Sequence, residues 1–145
     1  MSKREGFTLV ELAVVVVIIG VLAAFAVPRF LASVERSKAA EAFNYLSAVQ
    51  SAQERYHARQ GIYADAITDL DIKFTAPKYY TVGAISAGST LDLEDSWMLT
   101  LTRTGASAGY GAYTVTFCEE GYDPVNSTIN DLPDINPMQT ASAPA

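Results

Sequence analysis

The sequence predicts an α+β fold: a long, kinked N-terminal α-helix, apolar in its first half and amphipathic in its second, packed on a small antiparallel sheet of three to four strands. Three observations point there. Residues 7–27 carry a single charge, Glu11. Residues 29–60 repeat apolar side chains at helical spacing, and residues 78–118 change to alternation with a period of two.

The 145 residues suit one domain with an appendage and are too few for a two-domain enzyme. The net charge of −6 is unevenly placed: residues 1–60 hold 7 basic and 5 acidic side chains, residues 61–145 hold 3 and 11. An acidic C-terminal half repels phosphate backbones, which argues against a nucleic-acid-binding domain of ordinary type. With Cys118 as the only cysteine, no intrachain disulfide can form, and a single histidine leaves no His/Cys metal cluster. An all-carboxylate calcium site stays open.

The first element begins with the apolar run. Leu12 to Val27 is sixteen residues without a charge, and Phe7 to Val27 is 21 residues. As a helix the longer stretch spans about 31 Å, the thickness of a bilayer's hydrocarbon core. Val14 to Ile19 are six β-branched residues in a row. They form helix poorly in water, but lipid leaves the backbone no other choice. The segment therefore meets a membrane. One reading is a secretory signal, with Lys3 and Arg4 before the run and Ala24-Phe25-Ala26 as an A-x-A cleavage site that would release a secreted binding domain. A second is a plain single-pass anchor, whose orientation the flanking basic residues do not decide. A third gives Glu11 a function, since a carboxylate inside such a segment is costly. Thr8-x-x-Glu11 also has the spacing of a capping box, which would satisfy amides at the helix start.

The string Lys3-Arg4-Glu5-Gly6-Phe7-Thr8-Leu9-Val10-Glu11-Leu12 resembles the class III signal of type IV pilins and pseudopilins. The resemblance covers about the first 30 residues. It implies that residues 1–6 are a leader, that a prepilin peptidase cuts after Gly6, and that Phe7 becomes an N-methylated first residue. It also implies that Glu11 of one subunit neutralises the new amine of a neighbour in a filament core, acting as a register device during assembly. Gly20 and Pro28 match helix-weakening positions of the family. On physical grounds alone they are tolerated interruptions costing about 1 and about 3 kcal/mol. The resemblance adds the expectation that residues 20–28 lose helical order in a filament.

The implied function is that of a structural subunit of a type IV pilus serving adhesion or motility, not an enzyme. The implied partners are copies of itself, the inner membrane before assembly, prepilin peptidase and the pilus assembly machinery. The precursor is expected in a bacterial inner membrane and the product on the cell surface. A pseudopilin of a type II secretion system, periplasmic, is the runner-up, and a minor, priming subunit is also open.

After Pro28 the helical pattern runs to about Arg59. Ala42, Tyr45, Leu46, Val49, Ala52 and Tyr56 form one stripe, with Arg36, Asn44, Ser51 and Glu54 opposite, and Gly61 is the expected stop. Residues 8–60 then form one helix of about 80 Å. Its first half has nothing in its own chain to pack on. The expected organisation is a leader (1–6), a membrane or filament-core helix (7–28), a globular head (29–138) and a disordered tail (139–145).

Downstream, Trp97, Leu99 and Leu101 alternate with Met98, Thr100 and Thr102. Tyr113, Val115 and Phe117 alternate with Thr114, Thr116 and Cys118. Arg103–Gly111, with three glycines, reads as a hairpin loop, and Lys78–Ile85 as a third strand. Residues 119–137 are irregular, to be held by packing, by Pro124, Pro133 and Pro137, or by an ion. Asp123, Asp131 and Asp134 are weak calcium candidates against the reading of solvated turn formers. His57 reads as a surface histidine and Cys118 as a small core or edge residue. Asn126-Ser127-Thr128 matches a glycosylation acceptor, a triplet that often arises by chance, and Tyr79, Tyr80, Trp97, Tyr110, Tyr113 and Tyr122 are packing aromatics.

Overall fold

The computed structural model describes residues 6–139; the expected leader apart from Gly6, and the expected tail apart from Gln139, lie outside them. Helix α1 spans Leu9–Gln60 without a break, 52 residues with Pro28 inside. Its N-terminus is set by Thr8. It ends at Gly61, which takes a left-handed φ of 77° and donates its N–H to the His57 carbonyl. A side chain there would be strained, which is why glycine closes so long a helix.

The sheet has five strands, one more than the upper expectation: β1 (Tyr80–Val82), β2 (Ser86–Ala87), β3 (Trp97–Arg103), β4 (Thr114–Cys118) and β5 (Gly121–Tyr122). All pairings are antiparallel. Strand β3 is central, flanked by β4 on one side and by β1 and β2 in succession on the other, while β5 extends the sheet beyond β4. Strands β2 and β5 are two residues long, too short for alternation to mark them. The expected Lys78–Ile85 strand survives as Tyr80–Val82. It stops at Gly83, where a Cβ would lie 2.8 Å from the Thr100 carbonyl oxygen.

Alternation places one face of β3 and β4 on α1. Trp97, Leu99, Leu101, Tyr113, Val115 and Phe117 meet Ala39, Ala42, Phe43, Leu46, Val49 and Ala52 in a single core. Ile129 and Ile135 close it from the C-terminal segment. That segment has no disulfide and is held by many small bonds. The Thr114 and Thr116 amides donate to the hydroxyls of Thr128 (2.7 Å) and Ser127 (2.8 Å). Arg36 of α1 donates to the Gln139 carbonyl at 2.8 Å, and the Gln139 amide bonds Asn130. Gln139 is thus part of the packed head, one residue beyond the boundary expected from sequence.

Candidate functional site

The N-terminal half of α1 is the part of the molecule that its own fold does not use. Every residue from Gly6 to Leu31 is exposed, including Phe7 at 86% and Leu9 at 87%. The helix is long and apolar enough to cross a membrane, and none of its apolar window is covered. Gly20 and Pro28 both lie within continuous helix in the single chain. Pro28 only removes one donor, to the Ala24 carbonyl, from a ladder that continues on both sides.

At the start of the helix Thr8 and Glu11 form the capping box that their spacing suggests. The Thr8 hydroxyl accepts from the Glu11 amide at 3.2 Å, while Glu11 Oε2 accepts from the Thr8 amide and the Thr8 hydroxyl, both at 2.8 Å. The cap satisfies amides that a helix start leaves orphaned. It also fixes the carboxylate one turn above Phe7. Glu11 is the only acidic side chain from Gly6 to Val34, and Arg29 the only basic one.

The other candidates fall to structural roles. Asp123 uses both carboxylate oxygens on its own turn, taking the Val125 and Asn126 amides and the Asn126 side chain. Burial pushes its pKa up, but these bonds outweigh it and hold the carboxyl low. Among the described residues no group of three or more His, Cys, Asp or Glu side chains could hold a metal, so Asp123, Asp131 and Asp134 do not converge on a calcium site. Asn126, Ser127 and Thr128 are tied into this turn and into β4, with Ser127 buried. His57 is half-buried, stacked on Tyr63 at 4.3 Å, with its Nε2 3.0 Å from the Glu94 carbonyl oxygen. Cys118 ends β4, and burial raises its thiol pKa. Tyr80, Trp97 and Tyr113 are core, with Tyr79, Tyr110 and Tyr122 packed against it.

One feature escaped the pattern reading. Glu35 and Arg103 are both buried and paired, Arg103 Nε donating to Glu35 Oε1 at 2.5 Å and Nη2 to Oε2 at 3.1 Å. The remaining guanidinium donors reach the carbonyls of Tyr79, Thr104 and Ala106. Tyr113 donates to Glu35 Oε1 at 2.9 Å and meets the Tyr80 hydroxyl at 2.8 Å; Lys38 reaches Glu35 Oε2 at 3.2 Å. Burial alone would raise the Glu35 pKa, yet bonds from Arg103, Tyr113 and Lys38 bring it below the ordinary carboxylate value. Burial pushes Tyr80 up to about 12, so the hydroxyl is a neutral partner. A signal existed: Glu35 lies four residues before Ala39, and Ala39, Ala42, Leu46, Val49 and Gln53 continue at steps of three and four.

A family model for the prokaryotic N-terminal methylation motif matches residues 1–27. The chain is 34% identical over 129 residues to the type IV narrow pilus major component of Thermus thermophilus, covering 88% of this chain and 99% of that one. It is 41% identical over 68 residues to the type IV major pilin protein PilA of Myxococcus xanthus, 47% of this chain and 31% of the other. It is 36% identical over 77 residues to the type II secretion system core protein G of Vibrio cholerae, 53% of each. No solved structure gives a significant match.

Proposed function

The chain belongs to the type IV pilin family, and on that premise we propose that it is cut between Gly6 and Phe7, methylated on the Phe7 amine, and added from the inner membrane to a homopolymeric surface pilus. Prepilin peptidase and a pilus assembly machinery are the partners this route needs. The observation that carries the proposal is the exposed apolar half of α1, attached to a head whose core is complete without it.

The chemistry follows from that surface. In the precursor the bilayer covers residues 7–28. In a filament other copies of the same helix take the place of lipid, and burial of apolar area drives the exchange. Cleavage leaves a positive amine on Phe7, since such groups titrate near ~7.7–8.0. In a packed core that amine needs an anion, and Glu11 is one turn away on every copy. The head, with its acidic C-terminal half, faces solvent.

The likeness to the secretion-system protein is the ground for the second reading, a pseudopilin. It covers 53% of this chain, whereas the likeness to the Thermus pilus component covers 88%. The pilin reading is therefore preferred. A secreted domain released after Ala26 would discard the region that the family model matches.

The test is the intact mass and N-terminal sequence of the chain recovered from sheared surface filaments. The expected product starts at Phe7 and carries one added methyl group. A chain starting at Val27, or retaining Met1, overturns the processing route. Filaments too short to shear from the surface favour the pseudopilin.

A further inference from the structure

Two hollows lie on opposite flanks of the helix face that the sheet leaves uncovered. That face runs along Ser37, Ala40, Asn44, Ser47 and Ser51, all exposed except the half-buried Ala40. On one flank Phe74 stands 69% exposed and walls a hollow of about 700 Å³ that reaches Ala40, Asn44 and Tyr45. On the other flank Met138 stands 63% exposed beside Pro137 and Tyr122, walling a hollow of about 410 Å³ that reaches Phe43, Ser47 and Gln50. Ala40 and Asn44 border both hollows. Each flank therefore offers an apolar rim with a recess behind it.

The charges beside the two rims are opposite. Lys73 adjoins Phe74, and Lys78 follows Pro77 at the edge of the same hollow; both are exposed, with Glu41 as the acidic residue lining that hollow. Beside the second hollow, the exposed Glu120 precedes Gly121 in its lining. Arg36 lies on that flank as well, but it donates to the Asp134 and Gln139 carbonyls. The ion pairs among the described residues are Lys38–Glu35, Arg55–Asp71 and Arg103–Glu35, so Lys73, Lys78 and Glu120 are in none of them. A lone exposed phenylalanine or methionine is ordinary on a protein surface. Two that flank one helix face, each backed by a recess and edged by opposite charges, are complementary to each other. The helix keeps them apart within one chain, so they can meet only between two.

We propose that Phe74 of one head enters the Met138 hollow of the next copy, which seats its Met138 behind Phe74 and its Glu120 beside Lys73. The occupant is a second copy because the helix face between the flanks continues the exposed apolar half of α1, which the filament reading already places against other copies. The inference rests on that reading and adds the contact between heads. The contact joins different patches of two identical chains, so each head uses one flank on each of two neighbours. The helix residues lining the second hollow lie about three positions beyond those lining the first, a step of about 5 Å between parallel copies. With that step the series does not close into a ring and extends as a helix.

The experiment uses full-length chains expressed in place of the natural one. Sheared filament yield is compared with the N-terminal mass of the chain left in the membrane. Phe74→Asp should be processed normally yet lower filament yield at least about tenfold, because it puts a carboxylate into an apolar contact. Phe74→Leu, still apolar, should stay within about threefold of the natural chain. Leu91→Asp changes a side chain that is 86% exposed and lines neither hollow, and it should also stay within about threefold. Natural yield from Phe74→Asp overturns the contact.

Cross-linking identifies the occupant. A chain with Thr75→Cys, Met138→Cys and Cys118→Ser, the first two at exposed positions, is assembled into filaments and treated with a short bismaleimide. Covalent trimers and longer series are expected, because each subunit is joined through different cysteines to two neighbours. Chains carrying either new cysteine alone should stay monomeric. Filaments that form but give no such series overturn the contact, and a loss of yield at Phe74→Asp then belongs to a foreign partner. Dimers from a single-cysteine chain show like patches facing each other and overturn it too. Failure of the natural chain to form filaments would instead refute the underlying pilin reading.

Discussion

The two halves of α1 share one backbone and one hydrogen-bond ladder, yet their side chains meet different surroundings. From Leu9 to Leu31 the helix exposes leucine, isoleucine, valine and phenylalanine on every side. From Glu35 to Gln53 it buries one seam, with Glu35, Ala39, Ala42, Leu46, Val49 and Gln53 along its centre and Phe43, Tyr45 and Ala52 beside them. The less apolar half is the buried one. Burial here follows the presence of a partner in the chain, not hydrophobicity. The seam's alanines let the sheet approach closely, and polar groups mark its ends. Glu35 takes Arg103 at one end; at the other, the Gln53 amide bonds the Ala64 backbone on both its oxygen and its nitrogen, at 2.8 and 2.9 Å. These bonds set where along the helix the head sits. The apolar half lacks any comparable seam within its chain and must find its partners elsewhere.

The comparison breaks most readily at Glu35. Replacing Glu35 with Ala leaves Arg103 buried and uncompensated, which should cost about 3–5 kcal/mol of head stability. Near-UV circular dichroism of Trp97 in the full chain, held in detergent micelles, should show the melting temperature fall by more than about 10 °C for a head of this size. An unchanged melt would mean that the pair is not formed in the folded head. The same measurement sharpens the contrast between the halves. Leu46→Ala should destabilise the head by about 2–5 kcal/mol, because Leu46 is completely buried. Leu22→Ala, the same chemical change on the exposed half, should leave the melt within about 0.5 kcal/mol. A Leu22→Ala chain that melts early would show that the apolar half packs on the head.

The features most readable in the sequence are those governed by a single short-range rule. The capping box at Thr8 and Glu11, the stop at Gly61, the alternation of Trp97, Leu99 and Leu101, and the uncovered run after Phe7 all follow from local spacing. Strands β2 and β5 were not readable, because two residues carry no period and their pairing is dictated by β3 and β4. The Glu35–Arg103 pair lay further out of reach. Its partners are 68 residues apart, and a buried charge contradicts the pattern by which a core is recognised. The seam spacing put Glu35 inward, but only the fold shows that Arg103, continuing the inward alternation of β3, meets it there. The Asp123 turn is the converse case: of the two readings open for its aspartates, the turn former is the one the backbone takes up at Asp123, through the Val125 and Asn126 amides.

The smallest effect concerns pH and again separates the halves. The bonds from Arg103, Tyr113 and Lys38 outweigh burial and put the native pKa of Glu35 below its unfolded value, near ~4.3. The unfolded chain therefore binds more protons in that range, and stability falls as the solution is acidified. The contribution of Glu35 is fully present above about pH 5 and is lost as pH drops through the unfolded and then the native value, at about 1.4 kcal/mol for each unit between them. Asp71, held low by Arg55, loses stabilisation over a similar range. A difference measurement removes that contribution, since Asp71 is common to both proteins. The stability gap between the natural chain and Glu35→Gln should stay constant from pH 7 to about pH 5 and then narrow towards pH 3. A gap that stays the same down to pH 3 would mean that Glu35 does not carry its charge in the folded head. The apolar half contributes nothing to this gap, because the head's core includes no side chain from it.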